Sequence, residues 1–138
     1  MAGETVTVQR IISAPASEVW AALTTPEQIK QYFFGTDVDT DWEEGHPIKF
    51  HGDYKGRHFE DKGEVKEVEE GRCLSFTHWS EMSGKPDTPE NYATVTYALR
   101  EKDGRTEVKV KQTNCGDADE TKKNWKAVLN GLKKTVEH

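Results

Sequence analysis

Apolar and polar residues alternate most clearly in two neighbouring segments towards the C-terminal end of the chain. Val95, Tyr97 and Leu99 alternate with polar or small residues, and the alternation resumes at Val108 and Val110 after an Asp-Gly pair. Such a pair between two alternating segments is typical of a tight β-hairpin. The pattern therefore predicts two antiparallel strands, each with one buried side and one side in water.

The N-terminal segment predicts one strand followed by two short helices. Residues 5–13 are rich in β-branched side chains, which favour a strand. Pro15 precedes apolar residues at helical spacing, so we expect a first helix to begin there. Residues 25–28 then have the form of a second helix start, with Thr25 as N-cap, proline at the first helical position and Gln28 as the capping-box partner.

Between residues 36 and 115, short β-prone segments are separated by glycine turns, which is typical of an antiparallel meander. One turn is expected at Tyr54-Lys55-Gly56 and leads into a strand over residues 57–69. Another is expected at Glu70-Gly71. Residues 80–90 are rich in Ser, Gly, Pro and Asp, and they predict a polar, flexible loop at the rim of the sheet.

The C-terminal segment predicts one long helix. Asp117 or Asp119 is a suitable N-cap, and apolar residues then recur every three or four positions on one side. Helices at both ends of a strand-rich segment favour an α+β fold. We therefore expect one domain over residues 1–138, in which a curved antiparallel sheet wraps around the C-terminal helix in the order β-α-α-β-β-β-β-β-β-α. The apolar stripe of that helix is Trp125, Val128, Leu129, Leu132 and Val136.

Composition and charge narrow the classes of function. The 138 residues carry a net charge of −6, and the pI is near 5.4. These values argue against a nucleic-acid partner, because phosphate binding needs a concentrated basic surface. The chain has no apolar stretch of about 18 residues, so we expect no membrane span. Cys73 and Cys115 are far apart and in no paired motif, which favours reduced thiols and a cytoplasmic location.

The sequence offers no clear catalytic or metal-binding motif. The histidines and cysteines lack the spacing of a zinc site, and no phosphate-binding loop, nucleophile elbow or dinucleotide fingerprint is present. We therefore expect no metal and no cofactor, and the pattern nominates no catalytic residue.

The aromatic residues are the best candidates for a binding site. By their strand and helix positions most of them are expected to face the inside of the fold, and such rings line apolar pockets. Packing in the core is the alternative for each of them. With Leu129 and the polar His78, the candidate ligand-binding residues are Tyr32, Phe33, Phe34, Phe50, Phe59, Phe76, Tyr97 and Trp125.

His78 is the polar candidate of this site. If Leu74 and Phe76 face the core, the two-residue period of a strand puts His78 on the same side. There it is able to bind a ligand carbonyl or to act as a general base. The alternative is a position at a wet edge with no role.

Trp42 lies in an acidic segment, residues 39–44. A tryptophan in such a setting is suited to anchor a partner protein or a second copy of the chain. The alternative is that its ring folds back over a neighbouring strand.

Several segments also resemble a known family. Residues 14–24, Ala-Pro-Ala-Ser-Glu-Val-Trp-Ala-Ala-Leu-Thr, resemble the opening pattern of domains related to the C-terminal part of the Hsp90 ATPase activator. These domains belong to the START and birch-pollen-allergen-like (SRPBCC) helix-grip superfamily. Residues 25–34, with their Tyr-Phe-Phe ending, resemble the second helix of that family. The resemblance continues through residues 63–68, 74–79 and 94–99 and the late Trp125.

The resemblance implies a helix-grip fold with a cavity between the curved sheet and the long helix. The helix-grip superfamily contains lipid and sterol carriers, polyketide cyclases and co-chaperones, so the fold does not select one function. We expect a binding module rather than an enzyme, with a small apolar molecule in the cavity. The alternatives are a co-chaperone-like domain that docks Hsp90 and stimulates its ATPase, and a cyclase or hydrolase that uses the same cavity. A homodimer is a further expectation.

Overall fold

The structure, a computed structural model, describes residues 4–54, 56–80 and 84–137. Its element order agrees with the order that the sequence predicts. In chain order the elements are β1 (Glu4–Ile12), α1 (Ala16–Thr24), α2 (Pro26–Tyr32), β2 (Asp37–Asp39), β3 (Pro47–Tyr54), β4 (Arg57–Glu69), β5 (Cys73–Ser80), a 3₁₀ turn (Pro89–Asn91), β6 (Ala93–Lys102), β7 (Arg105–Cys115) and α3 (Ala118–Val136).

Within these described ranges the strands form one curved, seven-stranded antiparallel sheet. The strand order is β1-β7-β6-β5-β4-β3-β2, so the last strand of the chain, β7, pairs with the first, β1. Helix α3 packs against β1 and β7 and against the two short helices. The predicted α+β helix-grip fold, with the sheet around the C-terminal helix, is confirmed.

The β6–β7 hairpin forms where the alternating pattern predicts it. Lys102 pairs with Arg105, and the two residues between them, Asp103 and Gly104, have φ values of 54° and 77°. Positive φ at both central residues is the requirement of a type I′ turn, which Asp-Gly meets at low cost. The alternation then places Val95, Tyr97, Leu99, Val108 and Val110 on the buried side.

Helices α2 and α3 begin at the predicted N-cap residues, with proline at the first position of α2, but only the α3 cap uses its side chain. At α3, the Asp117 side chain accepts a hydrogen bond from the Glu120 amide at 3.1 Å, so this cap is confirmed. At α2, the capping-box prediction is wrong, because the Thr25 side chain makes no capping bond. Thr25 closes α1 and opens α2 at once, and only its carbonyl, which accepts from Gln28 and Ile29, joins the new helix.

The predicted turn before β4 and the predicted polar loop are only partly described. Gly56 has φ +79°, and β4 begins at Arg57 as predicted, but Lys55 lies outside the described residues. In the loop, Ser80 still belongs to β5, residues 81–83 lie outside the described part, and residues 89–91 form the 3₁₀ turn.

The core lies between α3 and the concave side of the sheet. All five residues of the predicted α3 stripe are buried there. Val19, Trp20 and Leu23 of α1 close one end of it. Among the described residues, no helix is long and apolar enough to cross a membrane.

Candidate ligand-binding site

A cavity of about 580 Å³ opens between the concave side of the sheet and the N-terminal half of α3. The sheet provides one wall, α3 provides the opposite wall, and the link between α2 and β2 forms the rim. The lining residues are Phe33, Phe34, Thr36, Phe50, Phe59, Asp61, Phe76, His78, Ser80, Val95, Gln112, Glu120, Thr121, Asn124, Trp125 and Val128.

Aromatic rings form a continuous chain around this cavity. Phe33 meets Trp125 edge to face, with ring centroids 5.8 Å apart. On the sheet, Phe76 meets Phe50 at 5.5 Å, and Phe50 meets the His78 imidazole at 5.4 Å. Edge-to-face and tilted contacts fix the rings in place. The apolar part of the cavity therefore has a defined shape.

Phe34 stands at the mouth of the cavity in an unusual backbone conformation. It follows the C-cap of α2 with φ 54°, a left-handed value that glycine adopts more readily. The next residue, Gly35, donates its amide to the Lys30 carbonyl at 3.2 Å and closes the helix in a Schellman-type turn. The Phe34 ring is 58% exposed. A strained residue with an exposed ring at a cavity mouth is typical of a functional position.

Asp61 and His78 form the polar end of the cavity. Asp61 of β4 pairs with Ser80 of β5, so His78, two residues earlier, lies on the same side of the sheet. The His78 Nε2 and Asp61 Oδ2 atoms are 2.9 Å apart. Their side chains are 33% and 13% exposed, so the pair lies largely out of water. A carboxylate in this position orients the imidazole.

The α3 wall adds a second polar group. Trp125 Nε1 donates to Gln112 Oε1 at 2.7 Å, which ties α3 to β7 across the inner end of the cavity. Glu120 and Asn124, one turn apart on α3, stand nearer the solvent side. The cavity is thus apolar in its middle and polar at both ends.

Seven of the ten predicted site residues line this cavity. They are Phe33, Phe34, Phe50, Phe59, Phe76, His78 and Trp125. One third of the His78 side chain is exposed, so His78 is neither fully solvated nor fully buried. That a ligand binds these residues stays a prediction.

Tyr32, Tyr97 and Leu129 do not line the cavity but belong to the core. The Tyr32 hydroxyl donates to the Ala22 carbonyl at 2.8 Å, and the Tyr32 Cβ and backbone lie against Gly131, which lets α2 and α3 approach closely. Tyr97 is covered by Trp125, with ring centroids 5.8 Å apart. Burial raises the pKa of both tyrosines. Leu129 is fully buried in the α3 stripe.

Sequence reasoning missed Asp61, which has the most distinctive environment in the cavity. Strand β4 contains mostly charged residues, so its inner side is hard to recognise. The signal was nevertheless present, because Phe59, Asp61, Gly63 and Val65 follow the two-residue period of one side of a strand. The polar residues of α3 were also missed, since the apolar stripe predicts only the side of the helix that faces the core.

The Trp42 ring folds back onto the protein, as the second alternative predicts, but its hydrogen bond is to the end of α1 rather than to a neighbouring strand. Its Nε1 atom donates to the Thr24 carbonyl at 2.8 Å, and the partly buried ring packs against the core.

Near Trp42, a carboxylate oxygen of Asp41, one of Glu43 and a ring nitrogen of His46 lie within 4.8 Å of one another on an exposed loop. His46 Nδ1 is already 2.7 Å from Asp41 Oδ2. This contact holds the pKa of His46 above its usual value.

Another depression, of about 650 Å³, lies on the outer side of the β6–β7 hairpin. Apart from Ile11, its described lining consists of charged side chains, among them Arg100, Arg105 and Glu107. Long, solvated side chains form a poor pocket for an apolar molecule.

Comparisons with known proteins agree with this architecture. The family described as Activator of Hsp90 ATPase homolog 1-like protein matches residues 13–137. No curated protein matches the chain. The solution structure of ChR145 from Cytophaga hutchinsonii has a TM-score of 0.85 and 40% sequence identity, and the match covers 99% of this chain and 96% of that one.

More distant solved structures share the fold. CalU16 from Micromonospora echinospora is 23% identical with a TM-score of 0.73, over 96% of this chain and 76% of that one. The Aha1 dimer from Colwellia psychrerythraea is 18% identical with a TM-score of 0.74, over 96% of each chain. Since the family match extends over nearly the whole sequence, the chain belongs to the Activator of Hsp90 ATPase homolog 1-like family.

Proposed function

We propose that this protein is a binding module that holds a small, mainly apolar ligand between its sheet and its C-terminal helix. The observation that carries the proposal is the cavity of about 580 Å³ with its chain of aromatic rings. Pockets for small organic molecules have volumes of roughly 300–1,000 Å³ and combine apolar walls with a few polar groups. This cavity has both properties.

The backbone at the mouth adds support. Holding Phe34 at a left-handed φ costs free energy, of order 1 kcal/mol or more, and no apolar neighbour fully covers its ring in return. A ligand in the cavity would contact this ring and remove apolar surface from water. This gain would add to the hydrogen bond from the Gly35 amide to the Lys30 carbonyl, which the same backbone conformation allows.

Native mass spectrometry of the purified protein tests the proposal. We expect a bound species at near-stoichiometric level, released by denaturing extraction and apolar in character. For a protein purified without ligand, we expect saturable binding of apolar aromatic compounds. Changes in the NMR signals of Phe50 and Trp125 monitor this binding. Absence of both results would contradict the proposal.

A cavity-filling variant and a matched control test whether the ligand binds in the cavity. Val128 is buried on the α3 wall, so Val128→Phe places a ring inside the cavity. Ala127 is exposed on the same helix, and Ala127→Phe adds the same ring outside. We expect Val128→Phe to weaken binding at least tenfold and Ala127→Phe to leave it unchanged. Equal effects would argue against the cavity as the binding site.

A co-chaperone role is the second candidate, because the family is described by its relation to the Hsp90 ATPase activator. Trp42 does not serve this role as a free anchor, since its ring is held against the fold. A pull-down with Hsp90 and a measurement of its ATPase rate test the idea, and no binding with no rate change would rule it out.

We also propose a cytoplasmic location, which the two unpaired cysteines support. By analogy with the Colwellia protein we propose a homodimer, which light scattering would check.

A further inference from the structure

The polar end of the cavity has an unmet need for a hydrogen-bond donor. Asp61 Oδ2 lies 2.9 Å from His78 Nε2, whereas Asp61 Oδ1 is buried and has no hydrogen-bond partner among the described residues. Leaving a buried carboxylate oxygen unpaired costs free energy, and most such atoms in native proteins have partners. Among the described residues, His78 donates the one hydrogen bond shown to this carboxylate, and since Oδ1 itself is covered, a ligand donor would reach Asp61 at the exposed part of its side chain that lines the cavity.

The neighbours of Asp61 explain why its Oδ1 atom has no hydrogen-bond partner among the described residues. The adjacent Lys62 and Trp79 side chains lie on the outer side of the sheet, where the Lys62 ammonium group sits over the Trp79 ring at 5.7 Å. The Lys62 ammonium group is therefore directed away from the cavity. On the inner side, Phe59 offers no strong donor, and Ser80, opposite Asp61 on β5, makes no hydrogen bond to Asp61 Oδ1.

The charges around the cavity disfavour an acidic ligand. The described lining contains the carboxylates of Asp61 and Glu120 and no lysine or arginine. Its imidazole, from His78, is already paired with Asp61. A ligand carboxylate would face like charges in a partly water-excluded site without a strong counter-charge. Ring faces such as those of Phe50 and Phe76 instead favour cations and polarised N–H or O–H groups.

We propose that the ligand carries a hydroxyl or ammonium group that donates a hydrogen bond to Asp61, while its apolar body lies among the aromatic rings. The cavity then selects neutral or cationic molecules over fatty acids and other carboxylates. This inference rests on the proposed function and deepens it, because it names the chemical class of the ligand. Asp61 acts as the specificity-determining residue, and His78 holds its carboxylate in place.

Three naphthalene probes of similar size test this inference. 2-Naphthol and 2-naphthylmethylamine carry a donor, and 2-methylnaphthalene carries none. Dissociation constants are measured by NMR titration at neutral pH on the wild type and on Asp61→Leu. Because the methyl group is more hydrophobic than the hydroxyl, the informative quantity is the ratio of the constants for 2-methylnaphthalene and each donor probe. We expect this ratio to fall about tenfold or more when Asp61 is replaced, which corresponds to one hydrogen bond to a charged group.

Matched variants keep the test specific. Asp53 and His58 form another Asp–His pair, exposed and 3.3 Å apart, and Asp53 is not among the lining residues. Asp53→Leu is expected to leave the ratio unchanged. Asp61→Asn keeps the shape of the side chain and is expected to lower the ratio by an intermediate factor, so the result does not depend on Asp61→Leu folding well.

The outcomes separate the two proposals. If all probes bind in the cavity but the ratio is the same with and without Asp61, the donor inference fails while the binding proposal stands. A fourth probe, 2-naphthoate, carries a carboxylate, and its binding as tightly as 2-naphthol would also overturn the donor inference. If no probe perturbs the cavity residues up to its solubility limit, the binding proposal and the inference both fail.

Discussion

Gly63 is the residue whose replacement most directly tests the packing of the sheet beneath the cavity. It lies in β4, pairs with Ile48 of β3, and sits two residues after Asp61. A Cβ atom added to Gly63 would lie 1.7 Å from the Thr77 carbonyl oxygen of β5 and 2.5 Å from its carbonyl carbon. Both atoms belong to the backbone, so no side-chain rotation relieves the overlap. The Gly63→Ala variant therefore has to push β4 and β5 apart.

The expected cost follows from competing effects. Replacing glycine by alanine stabilises a protein by about 0.4–1 kcal/mol through the unfolded chain when the native conformation allows it. Overpacking costs about 1–3 kcal/mol, and separating the strands weakens one or two ladder hydrogen bonds worth about 1 kcal/mol each. The clash outweighs the entropy term. We expect a net loss of about 3 kcal/mol, or roughly 10 °C in Tm for a domain of this size.

Urea denaturation, followed by tryptophan fluorescence, measures this loss. Gly116→Ala is the matched control, because Gly116 has no positive φ and a Cβ atom there would meet nothing within 4 Å. We expect the control to lie within about 0.5 kcal/mol of the wild type. If Gly63→Ala were also within 1 kcal/mol of the wild type, the close approach of β4 and β5 would not be a constraint on the fold.

The remaining predictions concern single groups. Asp117→Ala should lower the free energy of unfolding by about 1 kcal/mol through loss of the α3 cap, whereas Thr25→Ala should change it by only a few tenths in the same urea assay, because Thr25 makes no capping bond. In an NMR pH titration, the raised pKa of His46 should fall in Asp41→Asn, since the Asp41 carboxylate stabilises the protonated imidazole; an unchanged pKa would contradict the contact. Burial raises the pKa of Cys73 to about 11, so its alkylation should be slow at pH 8 and accelerate as the pH approaches that value; fast alkylation at pH 8 would refute the assignment.

The fold was predictable where one side of an element is apolar and its ends carry turn or cap residues. The β6–β7 hairpin meets both conditions, since alternating apolar residues flank Asp103-Gly104. Helix α3 meets them too, through its apolar stripe and the Asp117 cap. In such segments, local preference and burial favour the same structure. At Thr25 the motif was present, but the demand of closing α1 determined how the residue is used.

The site was less predictable, because the same residue type lines the cavity or fills the core according to small differences in position. Phe76 and Tyr97 are diagonal neighbours on adjacent strands with ring centroids 6.4 Å apart, yet of the two only Phe76 lines the cavity. Tyr97 is covered by Trp125 from α3, and no local pattern encodes where a distant helix lies over the sheet. Asp61 was missed for a related reason, since a carboxylate in a charged strand resembles any solvated residue until the opposite wall is in place.

The arrangement around Asp61 also bears on why the cavity exists. A fold selected only for stability would place an apolar side chain opposite α3 at this position, because replacing buried charged groups by apolar ones is often neutral or stabilising. Instead, the chain keeps a carboxylate with one unpaired oxygen at the end of an aromatic cavity, and it keeps a strained, exposed phenylalanine at the mouth. Each feature costs free energy in the empty protein, and a single ligand with an apolar body and a donor group would contact both the Phe34 ring and the Asp61 side chain. Sites that depart from the most stable choice in this way are where natural proteins most often hold their function.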